Sequence, residues 1–429
     1  MFSSGKFVKI KKLLFVILIS VILVLFAGSL YLYYPLSLRI SLSGEDSNNV
    51  PEDGGLRYDR GPIPVISVSG TPFERGYQHG VLLADELQEI MAVLEEEVMP
   101  EVSSFSGIKE SLQMRYMALK YFNYIAEDYQ QELKGIARGA DVSLYRLLLI
   151  NVFDELFNMA NCTNLAVWGD FTEEGTVIHG RNLDYIMEDR LYDRQVVIYY
   201  KPQNGPRFVS VAFPGYIGVL TGMNEKGLTL GSLTAPAVEK SLEGVPTGLL
   251  YREIMETAVL LDDAAFILNS NPRTIGNNLL VSSARDKSAT VLEISAREVW
   301  RRSGEDFIVA ANHFNILENS SVLSTSTFRQ DRGEELLVNR AFYSDDLRED
   351  EYITVEDMKD ILNDRVTETE YGGGPGFYGI GNDRNIQSVV FVPHELELWI
   401  SINQGLPAAG EVFYPFRFDT VSGAFKAID

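Results

Sequence analysis

Asn161-Cys162-Thr163-Asn164, followed downstream by His179-Gly180-Arg181-Asn182-Leu183-Asp184-Tyr185, is the stretch on which the reading of this chain turns. Cys162 is the only cysteine. A single cysteine forms no internal disulfide and is too little for a structural zinc site, which takes four protein ligands. Two readings remain, a buried inert thiol or a nucleophile. The neighbouring residues favour a nucleophile of an unusual kind: the chain cuts itself between Asn161 and Cys162, and Cys162 becomes a new N-terminus. A thiol ionises little at neutral pH, so it needs a base. The chain has four histidines, His79, His179, His313 and His394, and none sits in a context that marks it as a cysteine's partner. A terminal α-amine, with a pKa of about 7.7–8.0, is the alternative base. Arg181 would lower the thiol pKa and Asp184 would orient the amine. In an unbroken strand these two face opposite sides, so the reading requires a bend or bulge near Asn182. By spacing alone they read first as an ordinary ion pair.

Outward from this stretch the period of the pattern changes. Upstream, Thr71-Pro72-Phe73-Glu74 is a capping signature with proline at the first helical position. It opens a helix that carries His79 and extends through HGVLLADELQEIMAVLEEEV. Further helices are expected at 110–137 and 144–157, with Gly135 and Gly139 interrupting the pattern between them. Downstream, strands are expected at 164–169, 176–181, 195–201, 207–213, 218–223 and 228–233. A helical block at 247–269 follows, then strands at 279–283, 290–295 and 307–311, and helices at 329–343 and 355–362. Two closing strands are expected at 386–392 and 396–402. The alternation of helical and strand blocks predicts a layered α+β fold, two antiparallel sheets face to face with helices outside.

The chain has 429 residues, 46% hydrophobic and 23% charged, enough for a large core. Its formal net charge of -23 disfavours a nucleic-acid partner, which needs a basic surface. Lys6, Lys9, Lys11 and Lys12 precede an uncharged run from Leu13 to Tyr34, long enough for a membrane-spanning helix and longer than a cleavable signal's apolar region. Tyr31, Tyr33 and Tyr34 close the run as an interfacial belt. Residues 1–40 are therefore expected to be a cytoplasmic basic tail and an uncleaved signal anchor (helix 13–34). The rest then lies outside the cytoplasm, tethered to the membrane by a single pass. Residues 41–62, polar, acidic and rich in Gly, Pro and Asn, read as a linker. The body, 63–429, reads as one domain, with a helical pro-segment at 63–161 and a catalytic segment at 162–429.

The Cys162-Thr163 pair and HGRNLD at 179–184 resemble the N-terminal nucleophile (Ntn) amidohydrolases of the choloylglycine hydrolase superfamily. The likeness is nearest to acid ceramidase and N-acylethanolamine acid amidase. Glu132 to Ala140 and Asn151 to Phe157 are similar to the end of that group's pro-segment. Phe213 to Gly222 resembles its Gly-Tyr-Val-Gly segment. Asn224-Glu225-Lys226-Gly227-Leu228 is similar to choloylglycine hydrolases and penicillin V acylases. Arg75-Gly76-Tyr77-Gln78-His79-Gly80 resembles the acyl-CoA:6-aminopenicillanate acyltransferases. The resemblance implies a four-layer αββα Ntn-hydrolase sandwich. It implies that Cys162 is the nucleophile both of self-cleavage at Asn161-Cys162 and of catalysis, tuned by Arg181 and by Asp184 through the liberated amine. Asn312 would donate a side-chain N–H to the oxyanion. The group's late arginine falls at Arg329 or Arg332, with Arg332 preferred because an acidic residue precedes it. Thr234 stands where choloylglycine hydrolases carry a second oxyanion asparagine, and Tyr216 and Asn224 complete the oxyanion or substrate candidates.

The implied reaction is hydrolysis of a linear N-acyl amide through a thioester, with no metal or cofactor. A lipid-like amide such as an N-acylethanolamine or ceramide fits a membrane-tethered enzyme, and the α and β segments left by the cut are each other's partners. An acyltransferase, in which an amine replaces water, is the nearest alternative. A catalytically inactive, membrane-tethered binding protein is the alternative of another class. Other signals carry less. Gly374 to Gly379 matches GxGxxG but leads into a strand, unlike a dinucleotide loop. Asn161-Cys162-Thr163 and Asn319-Ser320-Ser321 match glycosylation sequons. Asp154 and Glu155 are adjacent on a helix, which keeps them from acting as a facing pair, although their closeness to the scissile bond allows a part in self-cleavage.

Overall fold

Strand structure runs from Leu56 and continues, after a turn, to Gly70, directly ahead of the helix that opens at Pro72. The computed structural model describes residues 55–99, 104–157, 160–185, 193–342, 352–367 and 378–428. The expected membrane helix at 13–34, most of the expected linker and positions 374–377 of the GxGxxG match lie outside these residues. Among the described residues no helix is long and apolar enough to cross a membrane. Contacts divide the chain into a large unit, residues 51–98 and 121–429, and a small one that among the described residues holds 99 and 104–120. The small unit is essentially one helix, Phe105–Phe122. Everything below concerns the large unit.

The sixteen strands among the described residues are numbered in chain order. Nine form one sheet in the order β1-β2-β5-β6-β7-β8-β9-β10-β11: Leu56–Arg60, Ile63–Gly70, Val196–Pro202, Phe208–Ala212, Thr221–Asn224, Leu228–Thr234, Asn277–Ser283, Ser288–Ile294 and Val299–Ser303. Seven form a second in the order β12-β3-β4-β13-β14-β15-β16: Phe307–Ala310, Ala160–Val167, Ile178–Tyr185, Asn385–Val392, Glu397–Ile402, Tyr414–Asp419 and Ala424–Ala427. The sheets meet through interdigitated apolar faces. Ile63, Val65, Val197 and Val209 of the first pack on Phe391, Ile400 and Phe416 of the second, all essentially inaccessible. Each such side chain contributes about 1.5–3 kcal/mol by leaving water.

Helices cover both outer faces. On the nine-stranded side are α1 (Pro72–Leu82), α2 (Ala84–Val93), α4 (Glu127–Ala140), α5 (Leu144–Asn151), α6 (Phe153–Phe157), α7 (Thr247–Thr257) and α8 (Leu261–Ser270), with α3 being the separate Phe105–Phe122 helix. On the seven-stranded side α9 (Ser324–Phe342) and α10 (Val355–Leu362) set Leu337, Met358 and Leu362 against Leu165, Val309 and Val390. The layers are thus helix, sheet, sheet, helix. The expected cap of α1 is present: Glu74 N–H donates to Thr71 Oγ1 at 3.3 Å, and Thr71 N–H donates to the Glu74 carboxylate at 2.7 Å.

Four expectations need correction. Strand β1 occupies Leu56–Arg60, within the segment expected to be linker, because it finds a partner in β2. The segment before Cys162 is not wholly helical: β2 pairs in parallel with β5, so the sheets are antiparallel except at this one junction. The last two strands expected from the sequence are followed by β15 and β16, whose alternation, Tyr-Pro-Phe-Arg-Phe-Asp and Ala-Phe-Lys-Ala, is short and broken by proline. Gly135 and Gly139 do not interrupt a helix. They lie inside α4 and face Gly76 and Gly80 of α1, and any Cβ at these four positions would run into the other helix's backbone. Absence of side chains lets the backbones touch, as small-residue stripes do wherever helices pack closely.

That contact predicts a reversed substitution effect. Gly→Ala inside a helix ordinarily stabilises by up to about 1 kcal/mol. Gly135→Ala should destabilise by about 2–4 kcal/mol, since α1 must move away. Urea unfolding of the variant checks this; a midpoint at or above the parent's would show that α1 and α4 do not touch there.

Candidate active site

Cys162 lies in β3, fully buried between the sheets among Leu183, Leu233, Leu280 and Ile386. The β3–β4 register is regular from Ala160↔Tyr185 to Val167↔Ile178 and sets Cys162 opposite Leu183, Asn164 opposite Arg181 and Asn161 opposite Asp184. Residues 162, 164, 181 and 183 therefore share the face between the sheets. On this face the fully buried Arg181 extends beside the cysteine, its Nη2 3.9 Å from Sγ. The guanidinium is fixed by Thr221 Oγ1 at 2.5 Å, by Asn164 Oδ1 at 3.3 Å and by the Ser232 carbonyl. Desolvation pushes the thiol up to about 11, against the pull of Arg181, while the Asp184 charge also disfavours the thiolate.

Asp184 does not reach this face. The expected bulge near Asn182 is absent from the regular β3–β4 pairing, and Asn182 and Asp184 point outward. Asn182 donates to the carbonyls of Leu362 at 2.8 Å and Ile380 at 2.9 Å. The Asp184 carboxylate accepts from Asn382 Nδ2 at 2.6 Å and Asn385 Nδ2 at 3.1 Å. A register shift does occur one strand further on, in β13 between Asn385 and Gln387. Burial pushes Asp184 up to about 6, opposed first by the Arg329 charge.

The peptide of Cys162 is held from the β12 side. Its N–H donates to Asn312 Oδ1 at 2.8 Å. Arg329, on α9, donates from Nη1 to the Cys162 carbonyl and to Thr163 Oγ1 (2.9 Å), and from Nη2 to Asn312 Oδ1 (2.8 Å). Asn312 Nδ2 donates to the Thr234 carbonyl at 2.8 Å. With two donors on one side of the Asn312 amide and a carbonyl on the other, its orientation is fixed. One of the two N–H groups of the Asn312 amide is thus engaged by Thr234, whose contribution here is a carbonyl.

Three candidates find other places. Arg332, the preferred late arginine, pairs with Asp364 at 3.0 Å and Glu335 at 2.9 Å on the half-exposed side of α9; one helical turn away, Arg329 faces the cysteine. Position along α9 decides between them, a matter invisible to local spacing. Asn224 spends its side chain on the carbonyls of Met255 and Ala258 and the amides of Lys226 and Leu228, so it ties the β7–β8 turn to the end of α7. Tyr216 packs on Gly218 and Gly248, and burial together with Asp154 and Glu155 holds its phenol well above the usual range.

Asp154 and Glu155, just ahead of Asn161, are both buried and point to separate partners. Asp154 accepts from Tyr185 OH. Glu155 accepts from Thr247 N–H at the start of α7 at 2.6 Å and from Thr274 Oγ1 at 3.2 Å, and burial raises it to about 7. These contacts moor the residues before the expected cut to the segment after it. His79 is a core residue: its Nε2 accepts from Gly215 N–H at 2.9 Å, and burial lowers it to about 4. The Asn319 sequon is occupied structurally, its side-chain amide bonded at both ends to the Phe314 backbone at 2.8 Å.

The family model for acyl-coenzyme A:6-aminopenicillanic acid acyl-transferase matches residues 171–402, more than half of the chain. The chain belongs to this family. The match takes in Arg181, Asp184, Asn312 and Arg329 and begins shortly after Cys162. Among curated relatives, an uncharacterized protein of Archaeoglobus fulgidus is 26% identical over 397 residues, 78% of this chain and 63% of that protein. Protein dcd1B of Dictyostelium discoideum is 24% identical, over 55% of this chain and 51% of its own length. The chain thus spans between half and two thirds of these two relatives. The acid ceramidase of Bos taurus is 24% identical over 59% of this chain and 70% of its own length. Similar solved structures include a Caenorhabditis elegans N-acylethanolamine-hydrolyzing acid amidase (18% identity, TM-score 0.39, 54% of this chain and 93% of that one). Another is a conjugated bile acid hydrolase from Clostridium perfringens (13% identity, TM-score 0.43, 62% and 96%).

The two arginines of α9 offer a direct contrast. Arg329→Met strips the donors from the Cys162 carbonyl and from Asn312, and should cost about 2–3 kcal/mol of stability. Arg332→Met removes two partly solvated pairs, to Asp364 and Glu335, together worth about 1 kcal/mol. Thermal melts of the two variants, side by side, check the order; equal losses would mean that Arg329 does not hold the cysteine peptide.

Proposed function

We propose that the protein is a self-processing cysteine amidohydrolase. The supporting observation is the way Cys162 is held: its thiol faces the Arg181 guanidinium while Asn312 and Arg329 grip the two polar groups of its own residue. In the first stage the Cys162 sulfur attacks the Asn161 carbonyl. The C–N bond breaks, its nitrogen takes the thiol proton, and a thioester forms. Water hydrolyses the thioester, leaving an α segment that ends at Asn161 and a β segment that begins at Cys162. Asn312 Oδ1, which already accepts from the Cys162 N–H, is placed to hold the liberated amine.

In the second stage that amine takes the thiol proton and the sulfur attacks a linear N-acyl amide. The amine product leaves with a proton, and water releases the acid from the acyl-enzyme. Arg181 stabilises the thiolate at each attack. The likeness to acid ceramidases favours an N-acyl amide with a lipid-like acyl chain. Transfer of the acyl group to an amine instead of water is a second reading, favoured by the acyltransferase name of the family. In the same proposal the run from Leu13 to Tyr34 anchors the enzyme at a membrane, with the body outside the cytoplasm.

Denaturing electrophoresis of the full chain tests the proposal. Wild type should resolve into pieces of 161 and 268 residues (429 less 161) and Cys162→Ala should stay whole. A wild type that remains whole after long incubation, with a thiol inert toward N-acyl amides, would sink it. Adding an amine acceptor to the wild-type assay and analysing products separates hydrolysis from transfer, and alkaline-carbonate extraction of membranes tests the anchor.

A further inference from the structure

The Asp184 carboxylate is buried on the outer face of β4, and no arginine or lysine is bonded to it among the described residues. Its bonded side-chain partners are two primary amides. Asn382 Nδ2 lies 2.6 Å from one oxygen and Asn385 Nδ2 3.1 Å from the other. Neither amide can turn its oxygen to the carboxylate, because each oxygen is already taken by a backbone donor: Arg384 N–H at 3.0 Å for Asn382, and Ala409 N–H at 2.8 Å for Asn385.

The β13 irregularity belongs to the same device. Gln387 pairs with Leu183, and regular pairing would then set Ile386 opposite Asp184. The register shift sets Asn385 there instead. Ile386 goes into the apolar cluster around Cys162. A bulge re-aiming a side chain beside a functional site is a recurrent use of that irregularity.

We infer that Asn382 and Asn385 are positioning residues that hold Asp184 ionised and aimed without neutralising it. A lysine or arginine in their place would satisfy the carboxylate and consume its charge. Two neutral donors stabilise the anion and leave its full field for the cysteine amine and for Arg329. Among the described residues the charged and titratable groups whose fields reach Asp184 are Arg329 from α9 and, through the strand from the opposite face, Arg181 and the Cys162 thiol. The role in catalysis rests on the amidohydrolase reading; the role in ionisation does not.

Asn382→Leu removes the closer donor and keeps the volume, and the test has two readouts. Burial already holds Asp184 up near 6, above the ordinary carboxylate value of 3.8. Losing a donor raises the cost of its charged form further. That added cost is present above the variant's folded pKa and fades below about 6, where Asp184 is protonated in the folded chain of parent and variant alike. Melting temperatures should therefore fall markedly more at pH 8 than at pH 4. In the second readout, hydrolysis of a fluorogenic N-acyl-aminomethylcoumarin by the cut enzyme should show its acidic limb displaced upward by about one pH unit. Asn382→Asp, which keeps the acceptor to Arg384 N–H and adds a second carboxyl group, should displace both readouts in the same direction and further. An equal loss of melting temperature at both pH values would overturn the inference whatever the enzyme does. Pieces that never form, with the pH-dependent melting intact, would instead overturn the amidohydrolase reading and leave Asn382 as the keeper of a buried charge.

Discussion

The structure depends on a peptide group that the sheet does not hold by itself. Cys162 sits where β3 runs past the end of β12, whose last ladder partner for β3 is Ala310, opposite Asn164. Beyond that point the backbone groups of Cys162 need partners from elsewhere. Asn312 takes the N–H and Arg329 the carbonyl, and Arg329 also bonds to Asn312. Unpaired buried backbone groups cost about as much as a lost hydrogen bond, so this substitution is required for β3 to be buried at all. It places two side-chain groups within bonding distance of the residue whose chemistry is at issue. It also draws α9, which covers the outer face, into contact with the inner strand.

Charge burial follows from the same arrangement. Arg181 and Arg329 are both fully desolvated, and burial pulls each below the usual arginine range. Among the described residues neither has a carboxylate bonded to it. An arginine taken out of water without a bonded anion is expensive, and its remaining polar contacts are to carbonyls, amide oxygens, a hydroxyl and the sulfur. The arrangement is therefore poised for a second negative charge near Cys162. Compare Arg252, equally buried, which is paired at 2.7 Å with Glu132 and held well above its usual value. That pair is structural: it anchors α4 to α7 and leaves no electrostatic demand unmet. The difference between a saturated and an unsaturated guanidinium separates scaffold from site in this molecule.

Much of the fold was legible because its elements carry strong local signals. The α1 cap, the span of α10 and the strands around Gln195–Lys201 and Leu228–Leu233 follow from local pattern. What failed to show locally was set by tertiary partners. The glycines of α4 look like breakers until α1 is seen against them. β1 and β2 look like linker and lead-in until β5 lies alongside. In the site, Cys162 and Arg181 meet because residues 162 and 181 fall on the same face of two paired strands, which the short connection between them makes legible. Asn382 and Asn385 come from about two hundred residues further on, through a register irregularity with no local signature, and no spacing could have brought them to Asp184. Arg329 and Arg332 are three residues apart on one helix, and only the direction of α9 distinguishes them.

Arg181 and Asp184 were expected on one side of a bent strand, and they lie on opposite faces of a straight one. The separation has a physical advantage. Side by side in a dry interior, the two would form a closed ion pair, and the guanidinium's field would be spent on the carboxylate. Kept on opposite faces of β4, each acts on a different part of Cys162. Arg181 faces the sulfur, and Asp184 lies across from Asn161, the residue on the other side of the proposed cut. A strand is thin enough for both charges to be felt at one residue and opaque enough to keep them from meeting. Should the cut take place as proposed, Asn161 would become the carboxyl end of the α segment, and an amine, cationic or neutral, would appear on Cys162 beside it. The raised thiol of the intact chain, near 11, and the nucleophile of the cut chain would then differ by the appearance of one base, with no rearrangement of the two charges that flank it.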